Sequence, residues 1–320
     1  FDSLTLACDV GGTNTSIAVV GRLGRRFDIL QRYRYQTQQL RRLEEAIDRT
    51  LSALADSTPH LMPDSISISG AGPVEDNVCN LTNASWDIDG DEIADKTKTP
   101  TLVLNDFSAI SYGIPLLDVE DPEQITPLPL PGGGIADQRG PIQAVVGAGT
   151  GLGVGFLVEH AGEYRAYPSE GGHCGFAPVE EYDGELFEFV RERIGERPGA
   201  EMFVSGQGLA HIYSYFAESK RVPTDSSLPG DPQKLVNGEI PAQVARAAAA
   251  GDQTAVEMMR VFVRLYARFA SNAALHFFPT GGLFLAGGIV TKNERWFLED
   301  DLFMAAFTQN YRDHIAEMLT

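Results

Sequence analysis

Lysine is scarce in this chain of 320 residues: only five of its 25 basic side chains are Lys, set against 44 acidic residues and a formal net charge of −19. So acidic a surface excludes nucleic acid as a partner, because binding a phosphate backbone needs a basic footprint. It disfavours an anionic membrane surface for the same reason, and it is compatible with a salt-rich cytoplasm. Long hydrophobic runs are missing as well: no stretch reaches eighteen apolar residues, so no membrane-spanning helix is expected. The opening FDSLTLACDV has no basic segment ahead of its apolar residues and reads as a strand, not as a signal peptide. Cysteine is limited to Cys8, Cys79 and Cys174, far apart and without a CxxC spacing. That excludes a disulfide framework and a Cys-based zinc site, and it fits a reducing, cytosolic compartment. All three read as small buried hydrophobes. No GxxxxGK[ST] occurs, which excludes a P-loop. The series Gly147, Gly149, Gly151, Gly153 does not match GxGxxG and runs into β-branched and aromatic residues instead of a helix, against a dinucleotide fold.

What is present is an alternation of short strands and amphipathic helices. LTLACDV, TSIAVVG, DSISISG, TLVLND, QAVVGAG, GVGFLVE and GLFLAGG are β-branched or apolar and bounded by Gly, Asp or Asn, the pattern of strands. Helical spacing covers Leu40 to Leu54, Ser108 to Leu117, Gly184 to Ile194 and a long stretch from Thr254 to Phe278. Elements mixed in this order indicate an α/β protein, and the length suits two domains. The Pro- and Gly-rich residues 120–141 read as a surface excursion near the crossover between domains, and Lys220 to Glu239 as a loop in the second. LACDVGGTNTSIAVV and AVVGAGTGLGVGFLV each read strand, Gly-rich turn, strand, which suggests a duplicated unit.

Chemistry concentrates at a few places. Gly-rich turns let backbone N–H groups approach an anion closely, so two of them suit a polyphosphate. Asp9, at the end of its strand just before the first turn, suits an anchor for Mg²⁺ held through water; its bland reading is a turn former. TLVLNDFSAI ends a strand on Asn105 and Asp106, and Asp106 is either a helix N-cap or a functional carboxylate. SEGGHCGFAP places Glu170 and His173 in a loop that glycines permit. As a zinc pair they lack a third ligand, so recognition of hydroxyl groups suits them better. Glu201 by itself reads as surface polar.

Taken together, DVGGTN, LTNASW, LNDFSAISYGIP, VVGAGTGLGVG, SEGGHCGFAP, AEMFVSG and LFLAGGIV, in this order, resemble the bacterial glucokinase family of the sugar kinase, Hsp70 and actin superfamily. The similarity runs from about residue 5 to about residue 293. It implies two RNase H-like, actin/hexokinase-type α/β domains flanking an active-site cleft and closing on hexose and ATP. The small domain would span 1–113, with 300–320 returning to it, and the large domain 114–299. The resemblance implies Asp106 as the base toward the 6-hydroxyl of glucose, with Asn105, Glu170, His173 and Glu201 on the sugar hydroxyls. Asp9, Gly11, Gly12, Thr13 and Asn14 would form the first phosphate segment, and Gly149, Thr150 and Gly151 the second, with Gly287 and Gly288 against the adenosine. ATP and Mg²⁺ are the cofactors implied, glucose the small-molecule partner, and a homodimer is allowed. The Cys-rich zinc motif of the related ROK sugar kinases is absent after His173. The alternatives are a kinase for another hexose and a non-catalytic sugar or nucleotide sensor on the same fold.

Overall fold

Apolar residues alternate through the first strands so that one face of a sheet is buried: Leu6, Cys8 and Val10, then Ile17 and Val19, Ile66 and Ile68, and Val103 form one core. In the computed structural model, residues 1–81, 84–130, 134, 140–219, 221–223, 226–231, 239–299 and 301–309 are described. The chain divides into two units, Phe1–Leu116 and Leu117–Thr320.

In the first unit, β1 (Ser3–Val10), β2 (Asn14–Leu23) and β3 (Arg26–Gln36) form an antiparallel meander. Helix α1 (Leu43–Ser57) then crosses over to β4 (Ser65–Gly70), which lies parallel to β1. After the short strands β5 (Val74–Glu75), β6 (Val78–Cys79) and β7 (Ile88–Asp89), α2 (Gly90–Thr97) leads into β8 (Thr101–Asn105), parallel to β4, and α3 (Asp106–Gly113) follows without a break. The sheet order is β3-β2-β1-β4-β8. Leu43, Ala46, Ile47, Thr50 and Leu54 on α1 are buried at the three- and four-residue intervals of one helix face, which seats the helix on the apolar side of the sheet. The other side carries small and polar residues, among them Asp9, Ser16 and Ser69. Asn77, in the left-handed region (φ 63°), turns β5 into β6, and its side chain accepts from Val103 N and donates to Thr101 O, covering the outer edge of β8.

The second unit repeats the scheme. β9 (Ile142–Ala148), β10 (Leu152–His160) and β11 (Glu163–Ser169) form an antiparallel meander. Next come α4 (Glu181–Ile194), α5 (Gly206–Glu218), α6 (Ile240–Ala249) and the 25-residue α7 (Gln253–Phe277). β12 (Leu283–Ala286) then pairs parallel to β9, giving the order β11-β10-β9-β12, and α8 (Gly288–Lys292), α9 (Glu294–Leu298) and α10 (Leu302–Thr308) close the described chain. Met258, Met259, Phe262, Val263, Tyr266 and Phe269 of α7 share one buried cluster with Val146 and Val154 of the sheet and Phe297, Phe303 and Phe307 beyond it. Buried Tyr266 donates its hydroxyl hydrogen to Val146 O at 3.0 Å, tying the middle of α7 to β9.

Every strand and helix expected from the sequence forms. The division falls at Leu116 and Leu117, not after residue 113. Of the residues 300–320 expected to return to the first domain, those of α10 instead bury Phe303, Met304 and Phe307 in the core of the second unit. Aromatic contacts with Tyr266 and Phe297 hold it there. Residues 300 and 310–320 lie outside the described residues, as do 131–133 and 135–139, residues 220, 224, 225 and 232–238 of the loop expected from Lys220 to Glu239, and Thr82 and Asn83 of LTNASW.

Candidate active site

In the first unit the turn from β1 to β2 is braced from one side. Gly11 N donates to Asn14 O at 3.0 Å, closing the turn. The carbonyls of Gly11, Gly12 and Thr13 then accept, in order, from Thr37 Oγ1 (2.7 Å), Gln38 Nε2 (3.1 Å) and Thr37 N (3.0 Å). In a planar trans peptide the N–H points opposite to the carbonyl before it. Holding these carbonyls toward Thr37 and Gln38 therefore turns the N–H groups of Gly12, Thr13 and Asn14 the other way, the arrangement of an anion-binding nest. Asp9 projects from the polar side of β1, and its Oδ1 accepts from Ser69 Oγ at 2.9 Å on the neighbouring β4.

Asn105 and Asp106 lie where β8 becomes α3, and the cap is Asn105. Its Oδ1 accepts from Phe107 N (3.0 Å) and Ser108 N (3.2 Å), and its Nδ2 donates to Gly72 O at 3.1 Å. The N-cap position thus belongs to Asn105, whose amide bonds two of the first helix N–H groups, and the Asp106 carboxylate stands in the first turn. Its Oδ1 accepts from Phe107 N (2.9 Å), and the carboxylate meets the favourable end of the helix dipole. Cys79 lies within its electrostatic reach: burial pushes that thiol up to about 11, and the charges of Asp106 and Asp87 add to the shift.

In the second unit the turn from β9 to β10 gathers the remaining candidates around Leu152. Gly149 N donates to Gly151 O, and Gly149 O accepts from Gly206 N at the start of α5, both at 2.8 Å. Leu152 N donates to Glu201 Oε2 at 2.8 Å. Gly172, in the Glu170–His173 loop, packs so tightly on Leu152 that a Cβ there would stand 1.9 Å from the Leu152 carbonyl oxygen. Glu170 and His173 are both exposed, with His173 Nε2 3.6 Å from Glu170 Oε2. Gly287 has φ +92° and room for no Cβ against Ala148 O, at 2.4 Å, so it must be glycine; Gly288 opens α8. Further along, Asp183, 1% exposed, binds Val179 N and Glu180 N and is paired with Arg264 and Arg268 of α7, which fixes the far end of the Glu170–His173 loop.

Three features were not legible from the residues. Glu201 is not surface polar: it is half-buried, and its bond to Leu152 spans 49 positions. The roles of Thr37 and Gln38 are equally remote in sequence. Cys174 is exposed, not a buried hydrophobe, because it sits on the outer rim of the Glu170–His173 loop; Cys8 and Cys79 are buried as expected.

Among the described residues no three His, Cys, Asp or Glu side chains gather as a metal cage. One carboxylate fixed by a serine is the donor set of an ion that keeps most of its waters, so the residues fit Mg²⁺ held through water at Asp9.

Two mixed sheets, each an antiparallel meander with a parallel strand beside its first member and a Gly-rich turn opening it, define the actin-like sugar kinase class. The model of the family described as Glucokinase matches residues 6–317. The glucokinase of Nostoc sp. is 32% identical over 325 residues, covering 97% of this chain and 91% of that protein. That of Chelativorans sp. is 34% identical over 304 residues, covering 93% and 80%. Among solved structures, the glucokinase of an Antarctic psychrotroph superposes with a TM-score of 0.79 at 27% identity over 99% of this chain and 92% of that one. A Balamuthia mandrillaris glucokinase in complex with glucose shares the fold, with a TM-score of 0.74 at 21% identity over 98% and 87%. The chain belongs to the glucokinase family, enzymes that phosphorylate glucose with ATP.

Proposed function

We propose that Asp106 is the general base of this glucokinase, accepting the proton of the glucose 6-hydroxyl as that oxygen attacks the γ-phosphorus of ATP. The observation that carries the reading is the arrangement at the start of α3, where Asn105 holds the N-cap position and bonds both Phe107 N and Ser108 N, so that the cap does not depend on Asp106. Phosphoryl transfer asks a protein mainly for positioning and charge stabilisation. On this reading, the N–H groups turned outward at Gly12, Thr13 and Asn14, together with those of Thr150 and Gly151 in the second turn, stabilise phosphate charge. Glu170, His173, Glu201 and the second N–H of the Asn105 amide take sugar hydroxyls, and Gly287 and Gly288 leave space for the adenosine. Asp9 would hold Mg²⁺ through water; the ion, when bound, neutralises phosphate charge. Three unpaired thiols support a cytoplasmic location.

A site built to pair hydroxyls rejects a sugar that leaves its own polar groups unpaired. The expected outcome is therefore glucose over its epimers. A coupled assay of ADP formation across glucose, mannose and fructose tests it, and equal kcat/KM for the three would contradict it.

A further inference from the structure

A chain carrying −19 must still hold a tetra-anionic nucleotide, and the residues assigned so far bring no positively charged side chain to either turn. Arg34 lies beside the first one. Strand register sets Arg34 across from Ser16, Ser16 across from Asp9, and Asp9 across from Ser69, one row over four strands on the polar side of the sheet. Adjacent strands are about 4.8 Å apart, so the Arg34 backbone is roughly 10 Å from that of Asp9, within the span of an extended arginine and a phosphate group.

The side chain is aimed. Arg34 Nε donates to Asn14 Oδ1 at 3.2 Å, which lays the guanidinium along the turn. Nε is one of five N–H donors, and the two Nη groups carry the other four. In the same unit Arg26, Arg42 and Arg49 each pair with a carboxylate. Among the described residues Arg34 pairs with none, and its side chain is exposed. Arg32, two residues back on the same strand and also exposed, makes no side-chain hydrogen bond within the described residues, as expected of a charge that merely blunts a sheet edge. Arg34 differs from it in being tied to the turn.

We propose that Arg34 is a phosphate-binding residue: the guanidinium fork, anchored through Nε on Asn14, takes two oxygens of the nucleotide's polyphosphate at the Gly11–Asn14 turn. A planar fork suits paired phosphate oxygens, and a charged hydrogen bond is stronger than the neutral backbone N–H groups around it. The proposal rests on the reading of this turn as the first phosphate segment.

Calorimetric titration of Arg34→Ala, Arg34→Lys, Arg32→Ala and Asp9→Asn with MgATP, magnesium tripolyphosphate and adenosine tests it. Loss of a charge-assisted contact should weaken MgATP and tripolyphosphate by about 10- to 100-fold in Arg34→Ala, with partial recovery in Arg34→Lys. Adenosine affinity and the melting temperature should stay at the wild-type values, and Arg32→Ala should bind all three as the wild type does. The proposal is overturned if Arg34→Ala binds MgATP within about twofold of wild type while Asp9→Asn is weakened. It is overturned equally if adenosine weakens in parallel, which would make Arg34 a brace for the turn, or if Arg32→Ala does the same, which would make the effect one of bulk charge. If neither Arg34→Ala nor Asp9→Asn affects MgATP, the reading of the turn as a phosphate segment falls with it.

Discussion

The two units build the same turn on the same sheet scheme and brace it in opposite ways. In the first, neutral groups from Thr37 and Gln38 hold the carbonyls of Gly11, Gly12 and Thr13. In the second, the Glu201 carboxylate holds the N–H of Leu152, whose carbonyl abuts Gly172. The first turn is therefore supported by residues with no part in the chemistry proposed, whereas the second is supported by a residue proposed to bind the sugar. The difference teaches that duplication of a backbone does not duplicate its wiring: in the second unit the proposed sugar loop and the proposed phosphate turn meet at one residue, Leu152.

The comparison breaks most readily at Gly151. A Cβ there would lie 2.5 Å from Glu201 Oε2, whereas a Cβ on Gly149 meets nothing within 4 Å. Gly151→Ala should displace the Glu201 carboxylate, lowering kcat/KM by about 10²-fold, the scale of a misplaced binding group. It should also cost about 1–3 kcal/mol of stability. Gly149→Ala should keep its stability to within about 0.5 kcal/mol. Thermal melting and the coupled assay read both, and equal stability loss in the two variants would remove Glu201 as the brace.

The helices behind the sheets differ too. Arg42 precedes α1 without capping it, whereas Asp252 caps α7 through Thr254 N and Ala255 N and also binds Ser226 and Ser227. Partial burial raises the Asp252 carboxyl, but hydrogen bonds from Ala255, Ser226 and Ser227 outweigh it and lower the group to about 2. A depressed folded value means stability that is present above about pH 4, the unfolded range, and lost as pH falls toward 2. Asp252→Ala should cost about 1 kcal/mol near neutrality. The penalty should vanish in denaturant titrations below about pH 2; a cost unchanged there would contradict the assignment.

Much of this was legible beforehand, and the reasons are local. β1, β2, β4, β8, β9, β10 and β12 announce themselves because each is an apolar run ending at Gly, Asp or Asn. RFDILQRYRYQ hides β3, since an edge strand exposes half its residues and tolerates Arg26, Arg32 and Arg34 at exposed positions. Helices α5 and α6 escaped notice beside the stronger period of α7. At the site, the identity of the polar residues could be read, but not who braces whom. The Asn105 cap and the Asp106 carboxylate are adjacent in sequence and compete for one role, which only the direction of the Asn105 side chain decides.

The smallest expected effect separates the units by their thiols. Burial, with the nearby Asp9 charge, holds Cys8 up to about 12, and Cys79 is at about 11, whereas Cys174 is exposed and only raised by partial burial. A maleimide at neutral pH should label Cys174 in the native protein and all three after unfolding. Native labelling of Cys8 or Cys79 would contradict the packing of the first sheet.

The role of Asp106 is tested most directly by Asp106→Asn, which keeps size and hydrogen bonding but removes the base. Glucose titration and steady-state turnover should be measured on one preparation, with circular dichroism as the check of fold. The account predicts native dichroism, glucose affinity within a few-fold of wild type, and kcat lower by about 10²- to 10⁴-fold. Turnover near the wild-type rate in a variant that binds glucose would contradict it.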